Sequence, residues 1–206
     1  MTPSKRLFDL TLSLLLALLL APVLGLLVIV LLLAEGRPVF YISERMRTPG
    51  ESFGLIKLRT MRPAPPGVKD GVTGGDKAGR MSRLQRLLRR TRADEIPQLW
   101  NVIRGDMSLV GPRPPLRLYV EDYPEIYGQV LQSRPGITGL ASLRYHAVEE
   151  RLLARCRTAE ETDALYRRRC IPRKAALDLV YQRNRTLCWD LMLVLQTAAR
   201  PFRHRG

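Results

Sequence analysis

Three features of this 206-residue sequence predict an α+β fold that is mostly helical and carries one helix in a membrane. From Leu10 to Ala34 the chain has no charged residue and is dominated by Leu, Val and Ile. Just after it, Pro38–Ile42 and Phe53–Arg59 alternate like two strands around the turn signal Thr48-Pro49-Gly50-Glu51, a short β-hairpin. The remainder carries apolar residues at helical spacing with arginines on the opposite arc. The expected organisation is a re-entrant membrane helix over residues 1–36 and a cytosolic, membrane-associated domain over 37–206, a small core ringed by amphipathic interfacial helices.

The apolar run is long enough, at ~1.5 Å per residue, to match a hydrocarbon core of roughly 30 Å. It is too long for a signal-peptide core, and Ala34-Glu35-Gly36 is not a cleavage site. A plain spanning helix is one reading. Two features favour a re-entrant helix instead. Pro22, in the step Ala21-Pro22, removes a backbone hydrogen bond near the middle. Basic residues flank both ends, Lys5 and Arg6 before and Arg37, Arg45 and Arg47 after, where a spanning helix biases Lys and Arg to one side.

Next, the two-residue period puts Lys57 and Arg59 on one face of the return strand and Ile56 and Leu58 on the other. Pro63 to Gly79 reads as a mobile surface loop. Arg80–Arg90 reads as a basic amphipathic helix with the stripe Met81, Leu84, Leu87 and Leu88, suited equally to a membrane surface and to the protein's own core. A helix follows from about Asp94–Pro97 to Gly105, with Asp94 and Glu95 at its start. Val148–Cys170 carries two helical stretches, the second with a Thr158/Glu161 capping box. Leu187–Ala199 is apolar but too short to span, and reads as an interfacial or core helix.

Lys and Arg number 34 against 19 Asp and Glu, a formal charge of +15, which calls for an anionic partner. Nucleic acid is the ordinary partner of a basic chain; the membrane-length N-terminus argues against it. Cys156, Cys170 and Cys188 form no CxxC pair, and His146 and His204 stand apart from other ligand types. That leaves neither a disulfide framework nor a zinc site nor a His-based triad. No internal repeat, Walker-type loop or dinucleotide fingerprint is present.

The segment Leu88–Asn101 is the most informative. It sets Asp94 and Glu95 side by side among arginines and continues into Gly105-Asp106-Met107-Ser108-Leu109-Val110-Gly111-Pro112-Arg113-Pro114. An Asp is ionised at neutral pH and needs no base to act as a nucleophile. The flanking arginines suit a diphosphate. Arg113 between two prolines, and Arg134 in Arg134-Pro135-Gly136-Ile137-Thr138-Gly139, are guanidiniums presented by rigid turns.

Together these runs resemble the bacterial sugar transferase family, the small monotopic polyprenyl-phosphate phosphoglycosyl transferases that begin glycan and exopolysaccharide assembly. The resemblance extends from about Lys5 to Ala198 and is strongest over Leu88–Gly139, where three motifs occur in family order. It implies a re-entrant helix broken at Ala21-Pro22, where the family often has Ser-Pro. It implies Asp94 as nucleophile with Glu95 as acidic partner, and a UDP-sugar donor. It also implies a polyprenyl (undecaprenyl) phosphate acceptor and Mg²⁺, with Asp94 and Glu95 the candidate metal ligands. The reaction implied is transfer of a sugar-1-phosphate through a covalent phosphosugar-aspartyl intermediate with release of UMP. Lys57, Arg59, Arg89, Arg113, Arg134 and Asp178 are the candidate substrate-binding residues. The place implied is the cytosolic face of the bacterial inner membrane, with no nucleic-acid partner; a homodimer is admitted. The chain departs from the family at Gln85, Arg92, Ala93 and Leu140–Tyr145, and 146–172 is unfamiliar; the pattern returns at Leu177–Tyr181 and Trp189–Leu191. The alternative is a non-enzymatic basic membrane-tethered binding protein, which leaves the Asp-Glu pair unexplained.

Overall fold

The computed structural model describes residues 1–62, 72 and 74–203, leaving out the side chains of Ala78 and of 200–203. Residues 63–71 and 73, most of the segment read as a surface loop, lie outside the described residues. The chain is mostly helical, with a short antiparallel hairpin and one N-terminal apolar helix.

Helix α1 (Pro3–Glu35) starts where the Thr2 hydroxyl accepts the Lys5 N–H, with Pro3 in the first turn. It ends at Gly36, whose φ of +69° suits glycine. Its 33 residues rise ~50 Å, and the chain is helical on both sides of Ala21-Pro22. One flank packs on the domain along almost its whole length. Phe8, Leu12, Leu16 and Leu20 join a core cluster with Leu99 and Val102, while Leu24, Leu27, Val28 and Leu31 join Leu58 and Leu88. The other flank leaves Leu7, Leu14, Leu18, Val23, Leu26, Ile29 and Leu33 exposed.

Strands β1 (Phe40–Met46) and β2 (Ser52–Leu58) pair antiparallel from Phe40↔Leu58 to Met46↔Ser52. The first strand runs further than the apolar pattern indicates, because the ladder carries the polar Ser43-Glu44-Arg45 and the Met46 N–H then donates to Pro115 O at 3.0 Å. In this register Tyr41, Ser43 and Arg45 share a face with Lys57. Helix α2 (Arg83–Thr91) begins at a Ser82/Gln85 capping box, three residues later than the sequence indicates. Of its apolar stripe Leu88 is buried and Leu87 exposed.

Helix α3 (Gln98–Arg104) ends at Gly105 with φ +91°. The next two motifs were expected as rigid turns, yet each contributes a strand. β3 (Ser108–Val110) and β4 (Gly136–Thr138) pair in parallel, joined through α4 (Arg117–Asp122) and α5 (Pro124–Val130). Backbones meet so closely here that a Cβ on Gly136 would lie 2.2 Å from Gly111 N, and one on Gly111 2.2 Å from Arg134 O. Only glycine fits either place. α6 (Leu140–Leu153), α7 (Ala159–Leu165), a π turn (Tyr166–Cys170) and α8 (Ile171–Asn184) follow. Thr158 caps α7 through Glu161 N, while the Glu161 carboxylate reaches Arg157 N, one residue before the capping-box position. α9 (Leu187–Arg203) keeps Leu187, Leu191, Met192 and Leu195 exposed. All three cysteines are free.

A buried polar network ties α1 to the rest. Lys5 Nζ reaches Asp9 Oδ1 at 3.4 Å and Asp190 Oδ2 at 2.8 Å. Asp9 accepts Ser108 Oγ–H at 2.7 Å and the Leu109 N–H at 3.3 Å. Asp190 accepts the Tyr181 hydroxyl at 2.6 Å. Arg6 donates to Val102 O and Ile103 O in the last turn of α3, Val102 O also accepting the Gly105 N–H of the cap. Lys5→Met is expected to strand two buried carboxylates and to lower stability by about 3–5 kcal/mol, read as thermal unfolding in detergent. An unchanged melting temperature would show that the network does not hold the helix.

Candidate active site

A cavity of about 1550 Å³ opens between the hairpin, the α2–α3 corner and helices α6 and α8. The hairpin contributes Tyr41, Ser43, Arg45, Lys57 and Arg59, all odd-numbered positions, as the register requires. Arg89, Asp94, Glu95 and Arg113 face it from the corner and from the loop after β3.

The corner is made by Arg92. It ends α2 in a left-handed conformation, φ +58°, unusual for a residue with a side chain. The chain turns there into a single 3-10 turn, Ala93–Glu95, and enters α3 only at Gln98, with Pro97 as its N-cap. The carboxylates therefore precede the α-helix instead of starting it, a correction to the expected placement. Asn101, fully buried, fixes α3 to the hairpin. It accepts the Ile56 N–H at 3.0 Å and donates to Gly54 O at 2.8 Å and Asp106 Oδ2 at 3.1 Å.

The two carboxylates have different surroundings. Glu95 accepts Arg113 Nη2–H at 2.7 Å and Arg92 Nη1–H at 3.2 Å, so both its oxygens are taken. Burial pushes its carboxyl up, but the two guanidiniums more than reverse this and hold it at about 2. Asp94 accepts no hydrogen bond from any described residue, although it is 6% exposed. Burial, then the charge of Glu95, raises it to about 6 against the pull of Arg89, Lys57 and Arg113. Lys57 is brought down to about 8 by burial and by Arg45 and Arg89, and lies over the Tyr41 ring. Arg89 is steadied by a 3.0 Å bond from its Nε to Thr60 Oγ1. Arg113 keeps 42% of its side-chain surface free and lines the cavity.

An unpaired carboxylate, a second one tied to two arginines, and the cations Lys57, Arg89 and Arg113 facing the cavity have the chemistry that suits a phosphorylated ligand. Over the whole chain, the family model described as bacterial sugar transferase matches residues 1–204. The chain belongs to the bacterial sugar transferase family. Among its relatives, the UDP-glucose:undecaprenyl-phosphate glucose-1-phosphate transferase of Caulobacter vibrioides is 38% identical over 199 residues, 94% of this chain and 67% of that one. The exopolysaccharide production protein ExoY of Sinorhizobium fredii is 30% identical over 221 residues, 98% of this chain and 87% of its own. The UDP-glucose:undecaprenyl-phosphate glucose-1-phosphate transferase of Escherichia coli is 31% identical, and the match covers 96% of this chain but 40% of that protein.

Within this sugar transferase the substrate-binding candidates separate. Lys57, Arg89 and Arg113 gather around Asp94. Arg59 lines the cavity, but its Nη2 caps α1 through Glu35 O and Gly36 O, so part of its donor set holds the fold. Arg134 is not brought to the cavity; its charged neighbours are Arg47, Arg6, Asp9 and Asp106. Asp178 lines the cavity near Lys174, with Oδ1 buried and unpartnered, and burial raises it to about 7. Beside it Lys174 pairs with Glu149 at 2.9 Å.

Two features escaped the sequence. The Lys174–Glu149 pair joins helices distant in the chain and left no local signal. Arg45 did have one: extending the hairpin register by two rungs puts it on the Lys57 face.

For a metal, the described residues hold no group of three or more His, Cys, Asp or Glu. With Glu95 taken by arginines, Asp94 is the open carboxylate of the Asp-Glu pair. One carboxylate suits Mg²⁺, which completes its shell with water and ligand phosphates, better than a metal caged by protein alone.

Because burial disfavours the ionised form of Asp94, Asp94→Asn is expected to stabilise the metal-free protein at pH 7 by about 2 kcal/mol. The folded state binds the Asp94 proton below about pH 6 and the unfolded chain only near pH 4, so the advantage should shrink as pH falls through that window. Melting curves from pH 4 to 8 read it; destabilisation at pH 7 would contradict the burial argument.

Proposed function

We propose that this enzyme transfers a sugar-1-phosphate from a UDP-sugar to a polyprenyl phosphate at the membrane surface, and that Asp94 carries the phosphosugar between the two. The observation that carries the reading is the unpaired, buried Asp94 carboxylate facing a cavity lined by Lys57, Arg89 and Arg113. The names of the relatives supply the donor and acceptor classes.

In the first step an Asp94 oxygen attacks the sugar-bearing phosphorus. The bond from that phosphorus to the bridging oxygen breaks, and its electron pair leaves with UMP. In the second, an anionic oxygen of the polyprenyl phosphate attacks the same phosphorus, and the electron pair of the aspartyl–phosphorus bond returns to Asp94. Neither step requires a proton to be removed from the nucleophile, since an ionised carboxylate and an anionic phosphate oxygen attack as they stand. Glu95 acts through Arg113: the 2.7 Å ion pair holds the guanidinium toward the phosphoryl oxygens. Mg²⁺, held by Asp94 and ligand phosphates, would neutralise charge developing on the diphosphate. Asp178 and the Lys174–Glu149 pair supply a polar cavity end suited to sugar hydroxyls.

The membrane arrangement follows from attachment. Both ends of α1 are bonded to the same domain, the N-terminal end through Lys5, Arg6 and Asp9 and the C-terminal end through Arg59. This supports a re-entrant helix whose two ends share the cytosolic face, its exposed leucines in lipid. In a Cys188→Ser background, Ser4→Cys and Gly50→Cys are expected to react alike with an impermeant thiol reagent. Reaction from opposite sides would mean that α1 spans.

The activity test is UMP release from a panel of UDP-sugars. Asp94→Asn is expected to abolish it with insertion intact. Arg113→Ala should lower it at least tenfold, against little change for the exposed Arg155→Ala, since a charge-assisted contact is worth ~1.5–3 kcal/mol. DNA binding without UMP release would favour the non-enzymatic alternative.

A further inference from the structure

Arg45 is a half-buried cation of the cavity wall that no described residue neutralises. It makes no hydrogen bond or ion pair with any described residue, and its Nε is sealed away without an acceptor. The residue lines the cavity. Burial, reinforced by the neighbouring Arg113, lowers it only to about 10, so it stays charged at neutral pH. A buried guanidinium without an acceptor costs several kcal/mol, and such a group persists where a ligand supplies the anion.

Its position says which anion. The charges that act most on Asp94 are Glu95, Arg89, Lys57 and Arg113, whereas Arg45 acts on Lys57 and Arg113. Arg45 thus belongs to the same cation group as Lys57 and Arg113 without being among the strongest charges on Asp94. The hairpin register agrees: Lys57 pairs with Tyr41, and Arg45 is two same-face places further along β1. Of the other arginines, Arg113 is committed to Glu95 and Arg89 to Thr60, while Lys57 lies over the Tyr41 ring beside Asp94.

In-line displacement supplies the chemical constraint. In the first step the leaving phosphate departs opposite Asp94. In the second, Asp94 is the leaving group, so the attacking phosphate must enter from the side the first one left. One anion subsite, distal to Asp94, has to serve both in turn. We propose that Arg45 forms this subsite, holding the phosphate of departing UMP and then the phosphate of the incoming polyprenyl phosphate. The inference rests on the two-step reading above and adds a residue and a shared site to it.

The full-length protein in detergent or nanodiscs tests it, with UMP and a polyprenyl phosphate as probes. For the wild type, UMP should inhibit competitively against the polyprenyl phosphate. Arg45→Gln should raise the UMP inhibition constant and the acceptor KM together, each at least tenfold and by similar factors. Arg45→Lys, which keeps the charge but loses the fork, should recover part of both. If Arg45→Gln does not fold by thermal unfolding, the parallel shift in Arg45→Lys is the readout. A noncompetitive pattern, or a variant that moves one constant and leaves the other, overturns the shared subsite while leaving the two-step reaction standing. A wild type that releases no UMP from any UDP-sugar overturns the reaction itself.

Discussion

The buried ion pair between Lys5 and Asp190, shared with Asp9, is the constraint on which the other elements depend. It joins the N-terminal turn of the apolar helix α1 to α9, and through Asp9 it reaches Ser108 and Leu109 on β3. β3 leads directly into Gly111-Pro112-Arg113, so the group that fixes the apolar helix also fixes the strand that presents the cavity-lining Arg113. Arg6, one residue on, closes the C-terminus of α3, the helix that follows the carboxylates. A buried ion pair is weak evidence of stability, because a well-packed apolar replacement can do as well. Its value here is geometric: a Lys shared by two carboxylates sets the depth at which α1 docks, where leucines alone would allow sliding.

The site violates the rules that make ordinary cores stable, and in a consistent direction. Among the described residues Asp94 is buried without a hydrogen-bond partner, Arg45 has no acceptor and Asp178 leaves an oxygen orphaned, while Arg92 is left-handed. Each costs the free protein stability, and on the proposed reading the three polar groups are those that a ligand of phosphates and hydroxyls would satisfy. Glu95 runs the other way: fully satisfied by two arginines, it acts as a structural anion. Adjacent carboxylates thus acquire different roles through the guanidiniums around them, since one pair of oxygens is taken and the other left open.

Much of this was legible in the sequence for reasons that can be named. α1, the hairpin and α9 follow from local periodicity and composition, and the Asp94-Glu95 pair stands out because nothing local calls for two acids among arginines. The parallel β3–β4 pair was not legible. Three-residue strands carry no period of their own, and their pairing depends on glycine backbones that meet only after α4 and α5 have brought the motifs together. Arg134 shows the converse error: an arginine between rigid residues is well presented, but its direction is set by tertiary contacts, and it lies with Arg6 and Arg47. Arg45 was hidden because the polar Ser43-Glu44 ends the apolar alternation, although the strand continues through it by backbone pairing alone.

The covalent role of Asp94 is tested most directly by mass spectrometry of the intact protein after incubation with UDP-sugar and Mg²⁺ in the absence of acceptor. The account places one added sugar-phosphate on the peptide that contains Asp94, discharged when polyprenyl phosphate is supplied. Turnover with no adduct on that peptide, or an adduct on another residue that discharges at the rate of turnover, would contradict it.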